Sequence, residues 1–210
     1  MLTAIIFTLL SIIKFLIFLR LFITKLIMII IKEKYYFYID NSKSLNVNLI
    51  KNKKKTLLIY RNSKFEPLKI LSKFSKLCKK LNIKFFIANN YNLAKKCNAD
   101  GLYISSYNRK FYKNIKKIGS AHNYNEIIKK IRQGCEMIVL SRLFRTDYKK
   151  KTGFFNIVKF NLIVQKFKID FIPLGGIKNS NLLKLNMVNS KGLAIYSEIK
   201  KKPVIYNRLF

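Results

Sequence analysis

Beyond residue 33 the chain alternates short apolar runs with longer stretches in which apolar positions recur every three or four residues. The runs predict strands at Tyr35–Asp40, Thr56–Tyr60, Lys84–Ala88, Gly101–Ile104, Ile118–His122, Met137–Leu140, Asp170–Leu174 and Gly192–Tyr196. Helical spacing covers Pro67–Leu81, with Ile70, Leu71, Phe74, Leu77 and Cys78 on one face. It also covers Gly153–Phe167, and Asn123–Gly134, where Asn123 and Glu126 suit a capping box and Gly134 suits the end. Strands alternating with helices imply a parallel sheet with right-handed crossovers. Eight such units predict an α/β fold, a (β/α)8 TIM barrel over residues 34–210. The barrel is lean against the typical ~250 residues, and its last helix is truncated, because Pro203 interrupts the little chain left after Ser197. A doubly wound open sheet is the structural alternative. No Gly-x-Gly-x-x-Gly follows the first strand, which weighs against dinucleotide binding.

Residues 1–31 break this pattern. They are almost wholly apolar, interrupted by Lys14, Arg20 and Lys25. The segment is long enough to span a bilayer, which takes about 20 apolar residues, but its longest uncharged run stops at Ile13. No small-residue cleavage site follows it. Three readings stand: a membrane anchor, an amphipathic interfacial helix, or a start at Met28.

The formal net charge is +34, from 43 basic residues against 9 acidic ones. Of the basic residues only seven are Arg, the side chain that reads phosphates and base edges best. Lys, Asn and Ile are inflated together along the chain, as in an AT-rich genome. The charge is therefore read as lysine on solvated faces, with no specific nucleic-acid partner, although such a field concentrates anionic ligands. Cys78, Cys97 and Cys135 are scattered and show no disulfide or zinc spacing.

In a barrel of this kind, chemistry sits at the C-terminal ends of the strands. After strand seven comes Gly175-Gly176, and after strand eight Tyr196-Ser197. Glycines there let a ligand approach backbone N–H groups, and a following helix N-terminus would add its dipole, so the two ends predict a phosphate site. The stretch after strand six carries Thr146 and Lys149, a hydroxyl and an ammonium that could face a phosphate. After strand five stands His122, the sole histidine and the candidate for proton transfer.

These segments resemble the thiamine phosphate synthase/TenI family. Gly119-Ser120-Ala121-His122 with Glu126 is similar to its Gly-x-Ser-x-His-x-x-x-Glu segment. Phe144-Arg145-Thr146-Asp147-Tyr148-Lys149 resembles its Phe-x-Thr-x-x-Lys loop. Gly175-Gly176-Ile177 and Gly192 through Ile199 resemble its two phosphate-binding strand ends. Asn98 through Ile104 resembles its Gly-Ala-Asp-Gly-Val-His-Leu, and Tyr38-Ile39-Asp40 its opening strand. The resemblance covers about residues 35–199. It implies a role in thiamine biosynthesis, with a phosphorylated thiazole or pyrimidine as small-molecule partner. Synthases of the family condense hydroxymethylpyrimidine diphosphate with thiazole phosphate, using magnesium. TenI-type relatives bind thiazole phosphate, and some only isomerise the thiazole.

The departures bear on the reaction. Of the family's Gln-x-Arg-x-Lys after strand two, Arg61 remains, with Ile59 at the Gln position. Asn89 and Asn108 stand at the positions where the resemblance places magnesium carboxylates, and Ser141-Arg142 replaces Gly-Pro. Magnesium is thus implied by the family but its ligands are lost, and no cofactor is assigned. The expected function is a divergent TenI-like protein that binds thiazole phosphate and isomerises it. The alternatives are a condensing synthase and a non-catalytic, membrane-attached module that binds a phosphate ligand. The expected location is the cytoplasm, with a tether to the inner face of the membrane if residues 1–31 anchor it.

Overall fold

Eight strands pair edge to edge, each parallel to its neighbours, and close into a barrel in chain order. They are β1 (Lys34–Ile39), β2 (Thr56–Tyr60), β3 (Lys84–Ala88), β4 (Gly101–Ile104), β5 (Lys116–Ala121), β6 (Met137–Ser141), β7 (Asp170–Leu174) and β8 (Gly192–Ile195). The structure is a computed structural model and describes residues 13–17, 32–61, 66–146 and 153–195. Parallel strands are buried on both faces, so they read as continuous apolar runs rather than alternating ones. Thr56–Tyr60, for example, is buried at all five positions.

Four α-helices cover the described part of the barrel: α1 (Leu68–Lys80), α2 (Tyr91–Lys96), α3 (Tyr124–Arg132) and α4 (Asn156–Val164). The connection β4–β5 has no helix, and β1–β2 and β7–β8 are crossed by 3-10 turns, including Asn179–Asn181 and Leu183–Met187. The expected stripe on α1 is shifted. Leu71, Phe74, Ser75 and Cys78 are buried, at i, i+3, i+4 and i+7, whereas Ile70 is 42% exposed. Ser75 fits the stripe because its hydroxyl donates to Asn98 O.

The interior is filled mainly by aromatic and branched side chains, among them Tyr36, Tyr38, Phe86, Tyr103, Ile59 and Val139. Gly101 has no side chain because a Cβ there would run into the Phe86 ring. A second layer lies between strands and helices and includes Leu71, Phe85, Ile127, Phe160 and Leu193.

The barrel begins three residues ahead of Tyr35. Lys32 is buried, and its ammonium donates to Val188 O and Ser190 O, both at 3.0 Å. Glu33 N donates to Lys191 O. Of residues 1–31, only 13–17 are described, and they are helical and exposed. No helix among the described residues is long and apolar enough to cross a membrane.

Candidate active site at the barrel mouth

The C-terminal strand ends carry most of the candidate residues to one rim. Arg61 follows β2, and its N–H donates to Ile39 O. Near it lies a buried pair: Tyr38 OH donates to Tyr103 OH at 3.0 Å, with the rings 5.6 Å apart edge to face. Burial pushes both phenols up, and the nearby guanidinium opposes that shift.

Asn89 follows β3 in a left-handed conformation, φ 58°, which Asn tolerates better than most residues. Its Oδ1 accepts from Ser105 N at 2.9 Å and from Asn108 Nδ2 at 3.1 Å. Its Nδ2 donates to Ser105 Oγ and Tyr107 OH. Asn108 Oδ1 accepts from Lys110 N, and Asn108 Nδ2 also donates to Tyr112 OH. Because a backbone N–H can only donate, Ser105 N and Lys110 N fix which way each amide points. The two positions that the family resemblance pairs as metal ligands are therefore in contact, joined amide to amide. This donor set does not suit magnesium, which prefers carboxylate oxygen. One Asn89 oxygen already takes two N–H groups, and the described residues contain no group of three or more His, Cys, Asp or Glu placed to hold an ion.

Beneath this pair lies Lys130, 1% exposed. Its ammonium donates to Ser105 O at 2.7 Å, Asn108 O at 2.8 Å and Gln133 Oε1 at 2.9 Å. Gln133 Nε2 donates in turn to Asn108 O and Lys110 O. All three protons of the cation have acceptors, so burial is tolerated without a carboxylate in hydrogen-bond contact. Burial lowers the Lys130 pKa. Gly119 makes the room: a Cβ there would lie 2.9 Å from Lys130 Cβ. Together α3 and its end clamp the loop that carries Asn108.

His122, after β5, is exposed, and its N–H donates to Glu126 Oε2 at 2.7 Å. The capping box is thus displaced by one residue: Asn123 Oδ1 accepts from Glu126 N, while the carboxylate accepts from the backbone N–H of His122 instead of that of Asn123 and also from Asn123 Nδ2. His122 Nδ1 lies 3.1 Å from Ser141 O and 2.8 Å from Ser141 Oγ. When Nδ1–H donates to that carbonyl, Nε2 carries the free lone pair of a base. In the other tautomer the Ser141 hydroxyl donates to Nδ1 and Nε2 carries the proton.

After β6 the Ser141–Arg142 peptide is cis, and Arg142 Nη1 donates to Thr146 Oγ1 at 3.3 Å. Gly175 and Gly176, after β7, have φ of 97° and 70°. Leu143 N donates to Leu174 O and Phe144 N to Gly175 O, which draws the β6 and β7 ends together. A Cβ on Gly176 would lie 2.5 Å from Phe144 O and 2.6 Å from Arg145 O. Gly176 is therefore required by packing, whatever it binds. Among the described residues, the N–H groups of Gly176 and Ile177 have no acceptor. The helix expected after this pair is a three-residue 3-10 turn, so the dipole expected to help hold phosphate is smaller. Lys149, Tyr196 and Ser197 lie outside the described residues.

Ser105 and Lys130 are not singled out by the sequence, and Ser141 only as a departure from the family's Gly-Pro. Ser105 and Ser141 stand at strand ends, so the rule that found His122 could have found them. A buried lysine in a lysine-rich chain gives no such signal.

A family described as thiamine monophosphate synthase matches residues 28–199. A thiamine-phosphate synthase of Pelagibacter ubique is 29% identical over 196 residues, covering 83% of this chain and 94% of that protein. One from Clostridioides difficile is 31% identical over 145 residues, covering 65% and 68%. One from Prochlorococcus marinus is 29% identical over 130 residues, 59% of this chain but 37% of that longer protein. Among solved structures, a thiamine phosphate pyrophosphorylase from Pyrococcus furiosus superposes with a TM-score of 0.67 at 17% identity, over 84% of this chain and 92% of that one. A 3-hexulose-6-phosphate synthase superposes with a TM-score of 0.61 at 12% identity, over 84% and 97%. These structural likenesses establish the barrel and nothing of its chemistry. With the match over most of its length, this chain belongs to the thiamine monophosphate synthase family.

Proposed function

We propose that the barrel binds thiazole phosphate at its mouth and carries out proton-transfer chemistry on the bound ring, with magnesium-dependent condensation absent or very slow. The observation that carries this reading is the contact between Asn108 Nδ2 and Asn89 Oδ1. Condensation expels diphosphate, and expulsion needs its charge neutralised. Two neutral amides already bonded to each other are a poor seat for the ion that would do it.

The phosphate rests on the backbone of Gly175 and Gly176 with Tyr196 and Ser197. Support comes from the free N–H groups of Gly176 and Ile177 among the described residues and from the general anion affinity of such backbone. Thr146 and Lys149 face the ring or a second ligand, and Arg61 lies across the mouth. His122 is the group that moves the proton. It depends on no metal, and Ser141 holds its Nδ1, which leaves Nε2 to exchange the proton. A second reading, a condensing synthase, is favoured by the names of the relatives. The three buried, free cysteines suit the reducing cytoplasm.

The test is calorimetric titration of the full chain with thiazole phosphate, with and without magnesium, followed by an isomerisation assay of the chain and of His122→Ala. Binding that ignores magnesium, with isomerisation lost in His122→Ala, is the expected result. No binding of thiazole phosphate would remove the reading.

A further inference from the structure

The loop between β4 and β5, residues 105–115, joins the two strands without a helix, yet its backbone is pinned along its length. Asn108 N donates to Ser105 O, and Lys110 N to Asn108 Oδ1. Lys130 and Gln133 hold the carbonyls of Ser105, Asn108 and Lys110. Asn108 Nδ2 donates to Tyr112 OH, and the Tyr112 ring stacks on Tyr91 with centroids 5.5 Å apart and planes 18° from parallel.

In this fixed loop Tyr107 leaves its side chain in water, 72% exposed. Its hydroxyl is nevertheless anchored. Asn89 Nδ2, at the end of β3, donates to it at 2.9 Å. The hydroxyl is also near enough to the buried Tyr103 phenol to act on it electrostatically. The ring is thus held at its hydroxyl end, on the rim of the mouth, and open over most of its surface. A ring already held in place loses little conformational freedom when another ring stacks on it. Tyr38 and Tyr103 offer no such face, because both are buried, 4% and 1% exposed.

The barrel closes with its strands in chain order, so β3 and β4 stand opposite β7 and β8. A ligand whose phosphate rests at the ends of β7 and β8 carries its ring across the mouth, toward the ends of β3 and β4. His122 follows β5, which pairs with β4, so a ring held at Tyr107 lies one strand from the group that moves the proton.

We propose that Tyr107 is the stacking platform for the heteroaromatic ring of the ligand, and that it gives the mouth its preference for a ring-bearing phosphate ester over one without a ring. The inference rests on the thiazole phosphate reading and adds to it the residue that holds the ring.

The test uses the full chain with thiazole phosphate and with ethyl phosphate, an ester that carries no ring. Calorimetry of the parent is expected to show thiazole phosphate bound roughly tenfold more tightly. Tyr107→Ala should lose most of that preference, with ethyl phosphate affinity and the melting transition unchanged. Tyr107→Phe removes the Asn89 bond but keeps the ring, and should keep the preference. The chain contains no tryptophan, so Tyr107→Trp introduces a single indole. Its emission should be quenched by thiazole phosphate and unaffected by ethyl phosphate. A preference that survives Tyr107→Ala, or an indole that stays silent while thiazole phosphate binds, overturns the inference and leaves the binding reading intact. Equal losses in Tyr107→Phe and Tyr107→Ala overturn it as well, since they assign the effect to the hydroxyl. No binding of thiazole phosphate by the parent removes the reading itself, and the inference with it.

Discussion

Asn108 donates from Nδ2 to Oδ1 of Asn89 at 3.1 Å, a single amide–amide bond that ties the end of β3 to the loop after β4. Ser105 N and Lys110 N fix the orientation of both amides, so the bond cannot be relabelled by turning either group. It connects two residues nineteen positions apart, the two at which the family resemblance places magnesium carboxylates.

Converting both to aspartate should therefore create an ion requirement. In Asn89→Asp, Ser105 N still has its acceptor, and the Ser105 and Tyr107 hydroxyls can turn to donate. In the double variant Asn89→Asp, Asn108→Asp the two carboxylates meet with no proton between them, and like charges at this distance repel. The double variant should melt below the parent in EDTA and recover with millimolar magnesium. A ligand at a hundred times its Kd adds about 2.7 kcal/mol. The parent should show no magnesium shift in the same thermal scan.

Lys130→Met keeps an unbranched chain, one atom shorter, and removes the cation. Ser105 O, Asn108 O and Gln133 Oε1 each lose a donor, and an unmet buried group costs about 1–3 kcal/mol. Urea unfolding should show a loss of this order, and Asn108 should lose its fixed place. Thiazole phosphate affinity should fall along with stability.

Gly176→Ala should damage the fold and the site together. Its φ of 70° and the Phe144 carbonyl 2.5 Å from a Cβ both resist a side chain. A loss of roughly 1–3 kcal/mol is expected in thermal or urea unfolding, with thiazole phosphate bound at least tenfold more weakly, about 1.4 kcal/mol. A variant as stable as the parent would mean the β6–β7 contact is not as described.

Alkaline pH should destabilise the barrel through its thiols. Burial pushes the Cys135 thiol up to about 11 and Cys78 up to about 12, from 9.0 in both cases. Above pH 9 the unfolded chain releases these protons and the folded chain keeps them. The stability they contribute is therefore complete below pH 9 and is lost as pH rises toward the folded values, by about 1.4 kcal/mol per pH unit for each proton. Lys130, whose pKa is lowered by burial, acts in the opposite sense below 10.5. Cys135→Ala should flatten the decline between pH 9 and 11, read from urea midpoints.

Most of the barrel was legible because parallel strands buried on both faces leave unbroken apolar runs. The bounds of β2, β3, β4 and β7 coincide with those runs. The helix α2 was not legible, since six residues beginning at an Asn90 cap are too few to show a period. At the mouth, strand-end position and side-chain type pointed to His122, and the family resemblance pointed to Asn89 and Asn108. The clamp by Lys130 depends on a void over Gly119 and on backbone carbonyls of a distant loop, and neither leaves a trace in residue spacing.

The most direct test is an assay of the full chain with hydroxymethylpyrimidine diphosphate, thiazole phosphate and magnesium, beside the double variant Asn89→Asp, Asn108→Asp. The account predicts no or very slow thiamine phosphate formation by the parent, and any gain confined to the variant. Each tenfold of missing rate corresponds to about 1.36 kcal/mol of transition-state stabilisation. Robust, magnesium-dependent condensation by the parent would contradict it.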